Sequence, residues 1–192
     1  MLYKVVKGGF DARFRADVDR FAGPLQTVDG QVVEDSTYET RQCALRWIKH
    51  GSKGFDQLSH QLLGLLGREK VIDPKLCVAE DLQYTEYGPG AFHDWHIDAY
   101  KRLYNMYDTP LGKRFIGKRR KISMSVLLND ASEFEGGVFE VSLFPNGPST
   151  VGTPLTEFSE AGDVAIFDST LCHRVAPVTR GLRKSLVIWV CA

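Results

Sequence analysis

Gln83-Tyr84-Thr85-Glu86-Tyr87-Gly88-Pro89-Gly90-Ala91-Phe92-His93-Asp94-Trp95-His96-Ile97-Asp98 is the stretch on which the reading of this chain turns. Aromatic and β-branched side chains are frequent in it and no helical period fits, so it reads as strand. Alternate residues of a strand face the same way. His96 and Asp98 are therefore expected to project together, with Trp95 and Ile97 on the other side. One imidazole and one carboxylate are two corners of a metal site. Taken alone, such a pair is more often a His–Asp hydrogen bond on a surface strand.

Short apolar runs separated by turns continue outward from this stretch. They are Cys77–Tyr87, Ala91–Asp98, Lys121–Leu128, Val138–Leu143, Asp163–Phe167, Cys172–Val178 and Leu182–Val190. Before residue 75 the pattern differs. Residues 2–6 alternate as a short strand ending at Gly8-Gly9. Phe10, Phe14, Val18 and Phe21 make a helical stripe that stops at Gly23-Pro24. Val28 to Val33 suggests a hairpin or a mobile loop, and Arg41 to Ile48 a strand. Ser52 to Leu66 is a second helix, capped by Ser52 and closed by Gly67. Many short strands after a helical start imply a mostly β (α+β) domain, a sandwich or barrel with helices packed on one face. At 192 residues the chain is expected to be one domain, 1–192, with helical support over 1–74 and a β core over 75–192.

Lys plus Arg and Asp plus Glu both total 24, so net charge is zero and global electrostatics point to neither nucleic acid nor a membrane surface. No apolar run reaches the ~18 residues of a membrane span. Cys43, Cys77, Cys172 and Cys191 are scattered without a Cys-x-x-Cys pair, which suits a reducing compartment, and the first residues lack a signal-peptide core; a cytoplasmic location is expected.

His173, in Asp168-Ser169-Thr170-Leu171-Cys172-His173, is the best candidate for a third metal ligand. Two His and one carboxylate on one face of an ion leave its other positions open. Ten residues later, Arg183 opens the apolar strand Leu186-Val187-Ile188-Trp189-Val190. A charge leading into a buried strand is costly unless paired, and its planar fork suits a carboxylate. Ser185 would share its face. A surface Arg at a strand end fits the same pattern.

Four separated motifs then come together. Tyr87-Gly88-x-Gly90 leads into Trp95-His96-x-Asp98; Phe134-Glu135-Gly136-Gly137 follows; then Gly162-Asp163-x-x-x-Phe167; then His173-Arg174-Val175-x-Pro177-Val178-Thr179-Arg180-Gly181-x-Arg183. Over about residues 75–190 the chain resembles the Fe(II)/2-oxoglutarate-dependent dioxygenases, in the prolyl-4-hydroxylase-like branch. The resemblance implies a double-stranded β-helix (jelly-roll) core with the N-terminal helices on its major sheet. It implies His96, Asp98 and His173 as iron ligands. It also implies Arg183 at the distal carboxylate of 2-oxoglutarate, and Tyr87 as a further cosubstrate contact, with Ser185 able to add a hydroxyl. Fe(II), 2-oxoglutarate and O2 would be required, with ascorbate as a stimulant. The implied reaction is hydroxylation of an unactivated C–H, on a peptidyl residue such as proline; a free amino acid, another small molecule or a nucleic acid is the alternative. A jelly-roll binding module without iron is the non-enzymatic alternative.

Three positions depart from that branch. His93 stands where a Tyr is usual, three residues before the first ligand. On a regular strand it would face away from the ligands, and it is expected as a pocket wall rather than a fourth ligand. Leu127 stands where a cosubstrate-binding Tyr is often found, with Ser123 and Ser125 on its face. Arg183 replaces the Lys of collagen-type enzymes. Between these motifs, Tyr100 to Lys121 holds eight basic residues (Lys101, Arg102, Lys113, Arg114, Lys118, Arg119, Arg120 and Lys121) against Asp108 alone, with Tyr100, Tyr104 and Tyr107 interleaved. It reads as a solvated loop or as a lid over the site.

Overall fold

Alternation along each strand sorts its side chains into two sets, and the computed structural model, which describes residues 2–30, 41–99, 102–105, 112–143 and 151–192, shows where each set goes. The chain forms β1 (Tyr3–Val6), α1 (Ala12–Ala22), β2 (Val28–Asp29), β3 (Arg41–Gln42), β4 (Ala44–Ile48) and α2 (Lys53–Arg68). It continues through β5 (Val78–Ala79), β6 (Leu82–Tyr87), β7 (Phe92–His96), β8 (Arg120–Leu127), β9 (Phe134–Gly136) and β10 (Phe139–Ser142). The last strands are β11 (Thr153–Pro154), β12 (Val164–Asp168), β13 (Cys172–Val175), β14 (Val178–Gly181) and β15 (Arg183–Cys191).

Among the described residues the large sheet runs β1-β12-β8-β15-β6-β4-β2, with β5 also on β15, and the small sheet runs β11-β10-β13-β7-β3. Both sheets are open, and β9 pairs with β14 separately. The even-numbered residues Leu82, Tyr84, Met124, Val126, Val164, Ile166, Leu186, Ile188 and Val190 of the large sheet form one hydrophobic cluster with both helices, through Phe14 and Val18 of α1 and Leu58, Leu62 and Leu66 of α2. Each Leu buried there contributes roughly 2 kcal/mol. The odd-numbered set turns the other way. Leu45, Tyr87, Leu127, Ala165 and Phe167 meet Phe139, Val141 and Val175 of the small sheet in a second cluster. Residues before 75 thus supply strands β1, β2 and β4 to the large sheet as well as both helices.

Several element boundaries differ from the sequence expectation. Arg41 to Ile48 is two strands, not one. The chain crosses from the small sheet (β3) to the large sheet (β4) at Cys43. α1 begins at Ala12, where the Asp11 carboxylate accepts the Phe14 N–H at 2.9 Å, while Phe10 stays outside the helix and stacks on Phe14. α2 is capped by Ser52 as expected, but Gly67 does not end it; the helix runs on to Arg68. A Cβ on Gly67 would lie 2.9 Å from Pro74, so the glycine there serves packing rather than termination. Only Val28 and Asp29 of the expected hairpin are seen, paired with β4; residues 31–40 lie outside the described residues.

Asp163, in the Gly-Asp motif, fastens the N-terminus. Its carboxylate accepts from the N–H groups of Gly8, Ser159 and Glu160 and pairs with Lys7, at side-chain exposure of 1%. Burial raises its pKa, but these donors outweigh burial and hold it below the usual carboxylate range. Its contribution to stability is therefore present above the ordinary carboxylate pKa and lost as pH falls through the lowered one. Asp163→Ala orphans several donors at once. It is expected to cost about 3 kcal/mol, a melting-temperature drop of about 10 °C by calorimetry.

Candidate metal centre

His96 and His173 stand directly opposite each other where β7 pairs with β13. His96 Nε2 lies 3.6 Å from Asp98 Oδ1, and His173 Nε2 lies 3.6 Å from Asp98 Oδ2. The three residues offer donor atoms that all lie within 4.8 Å of one another, close enough to share one ion. The two imidazoles are oriented alike. His96 Nδ1 bonds the Asp94 carbonyl at 2.7 Å and His173 Nδ1 bonds the Leu171 carbonyl at 2.9 Å. A carbonyl only accepts, so each Nδ1 carries its proton and each Nε2 presents a lone pair to the centre.

The protonation states suit a divalent cation. Burial pushes the His173 imidazole down to about 4, so it is neutral at pH 7. Burial works to raise the Asp98 carboxyl, but attraction to the His173 and His96 rings in their charged form and a hydrogen bond from Ser123 outweigh it, so its pKa lies well below the usual range and the group is ionised at pH 7. Metal binding needs these forms: a neutral imidazole and a carboxylate.

The expected alternation does not hold at this site. β7 ends at His96, and Asp98 lies beyond the ladder, its N–H donating to the Ser169 carbonyl at 3.0 Å. His93 does not face away either. Opposite β13 the register passes from His173↔His96 to Val175↔His93, so three steps on β7 match two on β13. That β-bulge turns His93 onto the face of His96, and their rings stack with centroids 3.5 Å apart. His93 is a wall of the cavity, as expected, though by a route that a regular strand would not allow. Burial first, and then the neighbouring His96, push its pKa down to about 2, so it is a neutral surface.

One cavity between the sheets brings together all six residues singled out in the sequence: His96, Asp98, His173, Tyr87, Arg183 and Ser185. Arg183 and Tyr87 are register partners on β15 and β6, and the guanidinium carbon sits 5.5 Å from the phenol ring centroid. Arg183 is 2% exposed, and its Nη1 has no hydrogen-bond partner. A buried guanidinium with an orphaned nitrogen calls for an anion, and a carboxylate matches its fork. Arg183 has room because Gly137 lacks a side chain: a Cβ there would lie 2.8 Å from Arg183 Cδ. Gly136 and Gly137 adopt positive φ of 72° and 61°, a turn conformation that glycine takes without steric cost. Ser125 also lines the cavity, whereas Leu127 packs in the inter-sheet cluster and Ser123 bonds Ser169 at 3.0 Å.

Sequence reasoning missed Gln83 and Trp189, which line the same cavity and carry buried unpartnered atoms, Oε1 and Nε1. Strand parity would have found both. Gln83 shares the face of Tyr87, and Trp189 that of Arg183. Cys172 is buried beside His173 and its thiol is pushed up by burial, so it is a packing residue rather than a nucleophile.

The basic stretch is not free in its described parts. Phe115 is 1% exposed and packs with Tyr104 and Cys191, while Arg114 bonds His50 Nδ1 at 2.5 Å. Tyr100, Lys101, Tyr107 and Asp108 lie outside the described residues, as does any lid they form. No helix among the described residues is long and apolar enough to cross a membrane.

The family model of the 2OG-Fe(II) oxygenase superfamily matches residues 82–191 of this chain. A PKHD-type hydroxylase of Xylella fastidiosa (strain M12) is 32% identical over 138 residues, 70% of this chain and 55% of that protein. One from strain M23 is 43% identical over 72 residues, 38% of this chain and 28% of that protein. The chain thus spans about half, or less, of the length of these curated relatives. The crystal structure of a Pseudomonas putida prolyl-4-hydroxylase superposes with a TM-score of 0.61, covering 98% of this chain and 91% of that one at 22% identity, a likeness of fold.

Proposed function

We propose a function on one premise: this chain belongs to the 2OG-Fe(II) oxygenase superfamily. Residues 1–192 act as one oxygenase domain with a double-stranded β-helix core, and it hydroxylates an unactivated C–H on a peptidyl residue such as proline. His96, Asp98 and His173 would hold Fe(II). Arg183 would pair with the distal carboxylate of 2-oxoglutarate, with Tyr87 and Ser185 lining that end. One observation carries the reading: three convergent donor groups and an orphaned guanidinium nitrogen share a single buried cavity.

When bound, Fe(II) would supply the site at which O2, the oxidant, is activated with two electrons from 2-oxoglutarate, so that substrate, O2 and 2-oxoglutarate become hydroxylated substrate, succinate and CO2. The chain's own residues do the rest. The carbonyls of Asp94 and Leu171 fix the imidazole tautomers. Phe139 and Phe167 pack on the His173 ring at 5.5 and 4.5 Å and keep water from its far side. Arg183 aligns a dicarboxylate without having to move, which is preorganisation. The peptidyl substrate class is suggested by the likeness of fold to the Pseudomonas putida prolyl-4-hydroxylase. The four cysteines are free and buried, which goes with a cytoplasmic location.

The test is mass spectrometry of proline-containing peptides incubated with the protein, Fe(II), ascorbate and 2-oxoglutarate. A +16 Da peptide with matching succinate is expected. A +16 Da free amino acid or oligonucleotide, with unchanged peptides, would move the substrate class. Failure to bind both metal and 2-oxoglutarate would leave only a binding module.

A further inference from the structure

Asp98 lies past the end of β7, so no ladder partner fixes it. Two tethers do. Its N–H and that of Ala99 both donate to the Ser169 carbonyl, at 3.0 and 2.8 Å, and its own carbonyl accepts from Arg120 Nη1 at 3.2 Å. Arg120 is itself held from the other side: Nε donates to Glu80 Oε1 at 2.8 Å and Nη2 to Glu80 Oε2 at 2.6 Å. The same guanidinium lies 4.1 Å from the ring of Trp189, a wall of the cavity. Glu80 is 5% exposed and also receives the Tyr104 hydroxyl at 2.6 Å and the Cys191 thiol at 3.3 Å. Each of the three guanidinium nitrogens makes a separate bond, so the plane cannot turn without breaking one.

A buried ion pair is weak evidence for stability, and its better-attested use is to specify geometry. Here the geometry it specifies is that of the carboxylate-bearing residue between two imidazoles. Tyr104 adds a second link. It belongs to the basic stretch and exchanges main-chain hydrogen bonds with Lys118 and Gly117 at 2.8 and 2.9 Å. The docked stretch and the metal centre therefore meet at one carboxylate, Glu80.

We propose that Glu80 and Arg120 are positioning residues that set Asp98 for the metal, and that Tyr104 joins the basic stretch to the same unit. The inference rests on the metal-binding reading above. Because coupling between two sites is reciprocal, metal binding tightens the docking of the stretch, and docking favours the metal.

The test uses Co(II) as the probe, on the full chain. Glu80→Gln combined with Arg120→Met removes both charges together and leaves neither partner alone. A purely structural pair would leave Co(II) affinity at the wild-type value in this variant. A positioning pair gives a melting temperature within a few degrees of wild type but Co(II) binding ~10–100-fold weaker, the range for losing an outer-shell partner. Wild-type Co(II) affinity in the folded double variant overturns the proposal. Tyr104→Phe is the second arm, since it keeps the ring against Phe115. Trypsin should cleave at Lys113, Arg114 and Lys118 faster in that variant, and Co(II), expected to slow cleavage of the wild type, should not slow it there. Unchanged cleavage and unchanged Co(II) protection overturn the link through Tyr104. A wild-type chain that binds no Co(II) sinks the metal-site reading and this inference with it. Wild-type binding with an unaffected double variant sinks this inference alone.

Discussion

Asp98→Ala is expected to weaken Co(II) or Fe(II) binding by more than ~100-fold, beyond the loss caused by an outer-shell change, and to end 2-oxoglutarate turnover. Asp98 is the one carboxylate among the described residues that line the cavity. His173 is neutral at pH 7, so without Asp98 the divalent charge would lose the only anion facing it there. The change should spare the fold. The main-chain bonds that hold residue 98, from its N–H to Ser169 and from Arg120 to its carbonyl, do not involve the deleted side chain. A clean result is therefore a normal melting temperature with no metal in an isothermal titration. Wild-type affinity in this variant would remove the ligand assignment and the hydroxylase reading.

Arg183→Met should separate the cosubstrate from the metal. The guanidinium is buried with an orphaned Nη1, and burial depresses its pKa. A side chain with a pKa this high keeps its charge even so. Removing one partner of a buried charge pair costs about 3–5 kcal/mol, so the Kd for 2-oxoglutarate should rise ~100–5,000-fold while Co(II) affinity changes little. The cosubstrate-free variant should melt a few degrees above wild type, because an unpaired buried charge has been replaced by an apolar chain of similar reach. Adding 2-oxoglutarate should raise the wild-type melting temperature and leave that of the variant unmoved. An unchanged cosubstrate Kd would mean that the carboxylate docks elsewhere.

The helices could be read from their apolar stripes, and the inner face of β15 from parity alone, since Arg183 and Ser185 alternate with Leu186 and Ile188 of the helix-facing cluster. What the sequence concealed depends on partners far along the chain. The bulge that turns His93 toward His96 exists only because β13 has one residue fewer between the paired positions. The crossing at Cys43 depends on which sheet each half of Arg41–Ile48 joins, and no local pattern encodes that. The basic stretch hid Phe115, and nothing local told Tyr104, which anchors the stretch with it, from the neighbouring tyrosines. Nothing in the sequence linked Glu80 to Arg120 of the basic stretch, forty positions away, until the fold paired them.

Gly137 gives the site a handle that lies outside the metal-binding motifs. The berth of Arg183 is an empty volume left by a missing methyl group in a turn on another strand pair, at 2.8 Å. On the proposed role of Arg183, tuning which diacid binds there means redesigning that turn and the guanidinium as one piece. A library that varies the cavity lining while holding residue 137 fixed would miss every variant in which the guanidinium is shifted from that berth.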